Sequence, residues 1–191
     1  MEAITFFNNL LNKEKLKKEL IFSSMFLMTY ENTVYVWKDN ILGLYAPNHY
    51  IEDGIMKHAF FEKSDEKRFM QEVCQTIKKK DGNYDKTLSI FNWLKINEFM
   101  MQQDYDDLIK IRKLRNDIAH KLIDTLGTGL PENAKTLFNR LIEIRKTVSS
   151  NWIMGIEIPT NPEFDDQDIK PEDVSNLLDS LFNLIIKQVI D

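Results

Sequence analysis

The sequence predicts an all-α protein, and three observations carry that expectation. Apolar residues recur at three- and four-residue spacings along most of the 191 residues. Glycine and proline are scarce, at six and five, which suits helices joined by short connections. No stretch makes a convincing sheet. The length suffices for one domain with a sizeable hydrophobic core, so the expectation is a single domain over 1–191 built as a helical bundle.

The first long helix is expected over 13–37, with Leu16, Leu20, Leu27, Tyr30, Val34 and Trp37 at helical spacings. Asn12 can cap it. Val34-Tyr35-Val36-Trp37 alone reads as a strand, but no turn signal separates it from what precedes. Residues 39–48, around Gly43 and Pro47, read as an irregular link, followed by a short helix over 49–60. Ser64 followed by Asp65 and Glu66 reads as an N-cap with early acids, opening a helix to about residue 80. Asp81-Gly82-Asn83 stops it. Further helices are expected over 85–99, 104–122 and 133–148. The last carries Leu137, Leu141, Ile144 and Val148 on one side. Two glycines in 124–130 and Pro131 mark a break and a restart. Residues 157–171 read as an acidic loop, with Ile156-Glu157-Ile158 as a short extended piece. Pro171-Glu172-Asp173 opens a C-terminal helix to about residue 189.

Composition narrows the function classes. The formal net charge is -5, which does not suit a broad nucleic-acid surface. Its distribution qualifies that: residues 157–191 hold nine acids and two bases, which leaves 1–156 at +2. A local basic site is therefore permitted. Cys74 is the only cysteine, so no intrachain disulfide forms and a reducing, cytoplasmic setting is expected. The start has no signal-peptide pattern, and no uncharged apolar run reaches bilayer length, so no membrane partner is expected.

The chemistry concentrates in Arg115-Asn116-Asp117-Ile118-Ala119-His120. Guanidinium holds phosphate in a rigid fork, and imidazole moves protons near neutral pH. The chain has only three histidines. At about 100° per residue, Leu108, Ile111, Leu114, Ile118 and Leu122 form the apolar face of this helix. Arg115 lies against that face. Arg112, Asn116 and His120 form a polar stripe on its flank, and Arg115 and His120 stand about 140° apart. The two can line two walls of a groove, or converge across a two-fold axis with copies from a second chain. A structural reading also exists: Arg115 paired with a carboxylate such as Asp85 or Glu98, and His120 favouring the helix dipole.

Arginine, four residues, then histidine resembles the motif of the HEPN superfamily. Asn116 straight after the arginine is similar to the family's habit. The flanks Ile111-Arg112-Lys113-Leu114 and Lys121-Leu122 look like its motif helix, and Phe26-Leu27-Met28-Thr29-Tyr30-Glu31 resembles the partner helix. The resemblance is clear over 104–124. It implies a HEPN-like bundle with a four-helix core plus additional helices. It also implies a metal-independent endoribonuclease needing no cofactor, of the toxin-antitoxin or anti-phage kind, with an antitoxin or defence-system partner. Such proteins act as homodimers whose two motifs share one cleft. His120 would then transfer protons, Arg115 would hold the phosphate, and Asn116 would orient either. Arg112, Lys113 and Lys121, with Asp117 beside them, would face the RNA; Lys110 and Lys78-Lys79-Lys80 are further candidates. The alternative is a non-catalytic HEPN-like nucleotide-binding or scaffold module.

Other candidates are weaker. His49 and His58, with Glu52 and Asp53 between them, lack a metal-binding spacing. Cys74 lies near Val73 and Ile77 and reads as buried. Gly127-Thr128-Gly129 has no following lysine and is not a phosphate loop. No helix-turn-helix with a basic recognition helix supports a transcription regulator.

Overall fold

The computed structural model describes residues 2–164 and 168–170, and they are mostly helical with one two-stranded sheet. The chain forms two compact units, one of residues 1–30 with 102–191 and one of residues 31–101. The C-terminal helix expected from Pro171 lies outside the described residues.

The first unit opens with α1 (Glu2–Leu11), a helix the sequence reading did not anticipate. Asn12 interrupts it and caps α2 (Lys13–Tyr45), its side chain accepting from the Lys15 amide at 3.1 Å. α5 (Gln102–His120) and α7 (Ala134–Trp152) match their expected positions, α7 running one turn further. The core of this unit is apolar on both sides of the α5–α7 packing. Leu108, Ile111 and Ile118 of α5 and Phe138, Leu141 and Ile144 of α7 are fully buried. Phe22 and Phe26 of α2 meet the Phe138 ring at 5.5 and 5.7 Å.

The glycine-containing break expected over 124–130 is instead largely helix, α6 (Leu122–Thr128). A helical glycine is here a packing device. A Cβ on Gly127 would overlap the Phe6 ring, so the missing side chain lets α1 lie on α6. Gly129, at φ 90°, then ends the helix. Gly127→Ala is expected to destabilise the protein by about 1–3 kcal/mol through overpacking, read from a urea melt. The paired change Gly127→Ala with Phe6→Ala should recover part of that loss. After α7 the chain continues through a wide turn (Ile153–Glu157) into α8 (Ile158–Thr160) and a 3-10 turn (Pro162–Phe164). The extended piece expected at Ile156-Glu157-Ile158 is therefore helical.

In the second unit, two expectations fail together. The irregular link over 39–48 is mostly the end of α2, and the helix expected over 49–60 is a hairpin of β1 (Asn48–Glu52) and β2 (Ile55–Ala59). Asp53 and Gly54 form its turn at φ 53° and 75°, the geometry a tight two-residue hairpin requires. Gly43 sits inside α2 because the His58 imidazole lies over it, with Cε1 only 3.2 Å from where a Cβ would be. Pro47 follows the helix end, where it costs no helical hydrogen bond.

α3 (Lys63–Phe69) is capped by Glu62 rather than Ser64, and it ends in a wide turn at Cys74 instead of running to residue 80. The Ile77 carbonyl accepts from Asp85, and the Ile77 amide donates to Ser89 Oγ at 3.0 Å. These bonds draw the chain into a tight loop over Asp81-Gly82-Asn83. α4 (Lys86–Ile96) begins as expected, with the Asp85 side chain accepting from the Leu88 amide at 3.1 Å. Trp37, Ile41, Val73, Phe91 and Leu94 fill the core of this unit. Cys74 is buried as expected, and burial pushes its thiol pKa up.

Candidate functional site

Helix α5 places the Arg115–His120 segment at its C-terminal end. Leu108, Ile111, Leu114 and Ile118 of the expected apolar face are buried, while Leu122 falls past the end of α5 and opens α6, half-buried. That face fixes the helix rotation, and the rotation decides what the polar residues meet. Arg112, Arg115 and Asp117 are half-buried, while Lys113, Asn116, His120 and Lys121 are exposed.

Arg115 leans back toward the first part of α2. Its guanidinium carbon stands 6.0 Å from the centroid of the Tyr30 ring, a cation–π distance. Its Nη1 donates to Asn116 Oδ1 at 3.1 Å. Asn116 thus engages the arginine beside it. A guanidinium oriented in this way has the fork geometry that suits a tetrahedral anion.

His120 is the last residue of α5. Lys121 leaves helical geometry at φ -131° and ψ 36° before α6 begins. Among the described residues no side-chain hydrogen bond or ion pair ties down the His120 imidazole. Lys121 makes an ion pair with Asp117 at 3.5 Å, one turn back. That contact tempers the charge of Lys121 and draws Asp117 to the same edge. Arg112, Asn116 and His120, spaced four apart, share one flank of α5, and Lys121 lies just past its end. The angular separation of Arg115 and His120, about 140° on one helix, is retained.

A second polar cluster, which the sequence reading missed, braces this helix from its other end. Arg140 of α7 donates to Asp104 at 2.6 Å, to Asp107 at 3.0 Å and to Glu143 at 3.3 Å. Asp104 is buried and Asp107 nearly so. Hydrogen bonds from Lys110, and then from Arg140 and Gln103, pull the Asp107 carboxyl down to about 2. The Asp107 hydrogen bond, with the Glu143 bond and the Asp104 charge, in turn raises the Arg140 pKa. The clamp positions α5 against α7 and is structural, since its acceptors are engaged. The only sequence signal was two acids, Asp104 and Asp107, three apart on the face that approaches α7.

The remaining candidates disperse. Register places His49 opposite His58 in the hairpin. The His58 ring contacts the Ala46 carbonyl at 3.1 Å and Asp39 at 3.6 Å, a tether between hairpin and helix. Among the described residues no group of three or more His, Cys, Asp or Glu side chains gathers as a metal site. Among them also, no helix is long and apolar enough to cross a membrane. Lys78 lies 5.5 Å from the Tyr84 ring at the edge of its loop. No family model, characterised protein or solved structure matches this chain.

Proposed function

We propose that this protein is a metal-independent endoribonuclease of the HEPN kind, acting as a homodimer in which α5 of each copy contributes to one cleft. The observation that carries the reading is the pairing of a braced arginine with an exposed histidine on one helix end. Arg115 is held by Asn116 and the Tyr30 ring, while the His120 imidazole is exposed. The separation of the two around the helix supports a composite site, because Arg115 from one copy and His120 from the other can approach the same phosphate.

The chemistry follows from those groups. One His120 imidazole removes the proton from an RNA 2′-hydroxyl, whose oxygen attacks the adjacent phosphorus. A P–O2′ bond forms and the P–O5′ bond breaks. The imidazolium of the second copy supplies a proton to the departing 5′-oxygen. The products are a 2′,3′-cyclic phosphate and a 5′-hydroxyl. Arg115 neutralises charge growing on the nonbridging oxygens. Arg112, Lys113 and Lys121 follow the backbone. A toxin-antitoxin or anti-phage role, with a protein antitoxin that blocks the cleft, belongs to the same reading.

Incubation of the purified protein with a mixed RNA pool in EDTA tests it. Cleavage by the parent that yields cyclic phosphate ends, and that is absent from folded His120→Ala and Arg115→Ala chains, is the expected result. Equal cleavage by all three, or none by the parent, overturns it and leaves a nucleotide-binding or scaffold module.

A further inference from the structure

The unit of residues 31–101 contains a cleft that the catalytic proposal does not use. Its volume is about 350 Å³, and Tyr45, Phe61, Trp93, Asp65 and Arg68 line it. That size is at the lower end of small-molecule pockets, which span about 300–1,000 Å³. We propose that this cleft binds a nucleotide, its base stacked on Trp93 and Phe61 and its phosphate on Arg68.

The walls are prearranged. The Trp93 ring stacks on Phe99 at 5.9 Å with the planes 8° apart, so the indole is held flat. The Tyr45 hydroxyl donates to Glu72 at 2.7 Å, and Arg68 lies 5.7 Å from the Tyr45 ring centroid. Arg68 Nε donates to the same Glu72 at 3.4 Å. These contacts couple Tyr45, Glu72 and Arg68 into one wall. Burial and the Glu72 bond raise the Tyr45 pKa, so the ring stays neutral at ordinary pH.

The polar groups suit a nucleotide in particular. Among the described residues no hydrogen bond uses the two Nη groups of Arg68, which leaves its outer edge for a phosphate. Asp65 accepts from the Glu62 amide through Oδ2, leaving Oδ1 to accept from an exocyclic amino group. Phe61 is 67 % exposed, an apolar ring at the cleft mouth that a stacked base would cover. A quaternary ammonium would also favour an aromatic cage, but Arg68 already sits over Tyr45 and repels it. A proline-rich peptide needs a row of shallow grooves, whereas this is a single half-open cleft. The proposal holds for a free mononucleotide or for one residue of a single-stranded RNA.

Intrinsic fluorescence reports the site, because Trp37 and Trp152 are buried at 2 % and 5 % exposure and Trp93 lines the cleft. The full chain carrying His120→Ala is titrated with adenosine monophosphate and, separately, with a short oligoadenylate. A proline-rich peptide and tetramethylammonium are run in parallel. Saturable quenching by either adenylate is expected, weakened about tenfold by Phe61→Ala and by Arg68→Ala. Both side chains are exposed, so neither change threatens the fold. Quenching by the mononucleotide assigns a free nucleotide; quenching by the oligomer alone assigns RNA. No saturable quenching by either, quenching indifferent to both substitutions, or quenching by the peptide or ammonium alone overturns the proposal. Adenylate binding by a parent chain that cuts no RNA would leave this proposal standing while the catalytic one fell, and the converse result would separate them equally.

Discussion

His120→Ala is expected to lower RNA cleavage in EDTA by about 10²–10⁴-fold, the usual range for a general acid–base group, without shifting the melting temperature. The stability half of this result follows from placement. His120 is exposed at the end of α5, and its apolar neighbours Leu114 and Ile118 carry the packing. Surface substitutions of that kind stay within about 0.5 kcal/mol. Arg115→Ala should behave differently. It removes a phosphate ligand and also the guanidinium that stands over the buried Tyr30 ring. A comparable loss of cleavage is expected, together with a destabilisation of about 1 kcal/mol. If both His120 side chains serve one cleft across a two-fold axis, mixing the parent with an excess of the His120→Ala chain should suppress the parent's cleavage, because each heterodimer lacks one of the two proton-transfer groups. A site contained within one chain predicts no such suppression. Initial rates on a short RNA, for each variant and for the mixture, decide among these outcomes.

The sequence was most readable where a single helix face met a core. Leu108, Ile111, Leu114 and Ile118 announced both the helix and its rotation, and through the rotation the exposure of His120. It was least readable where glycine had two possible uses. Gly43 and Gly127 look like breakers, yet each lies inside a helix with a ring from another element against it: the His58 ring crowds the missing Cβ of Gly43, and the Phe6 ring overlaps that of Gly127. That packing is tertiary and leaves no local mark. The hairpin is another matter: Asp53-Gly54 between Tyr50-Ile51 and Ile55-Met56 is a recognisable turn signal, outweighed by the helical reading of its surroundings. For the site, spacing revealed the arginine and histidine. Spacing could not reveal that Tyr30 backs Arg115, since that contact depends on how α2 lies against α5.

Arg140→Met is expected to destabilise the protein by about 2–3 kcal/mol at neutral pH. Removing one partner of a buried ion pair costs about 3–5 kcal/mol, and the 30 % exposure of Arg140 lowers that figure. The loss comes from the acids left behind. Asp104 is 7 % exposed, and without the guanidinium its carboxylate faces α7 with one fewer strong donor. The pH dependence has a definite sign. The Asp107 pKa is depressed from 3.8 to about 2 in the folded protein. Its contribution to stability is therefore fully present above about pH 4 and is lost as pH falls toward 2. Parent and variant should differ most above pH 5 and converge on acidification, as the Asp107 carboxylate takes up its proton and the clamp loses that charge. Glu143→Gln is the control, because that side chain is 66 % exposed and its pair should contribute less than about 1 kcal/mol. Urea melts at pH 7 and pH 3 separate the cases. A gap that persists undiminished at low pH would mean that Arg140 acts through packing of its stem rather than through the two aspartates.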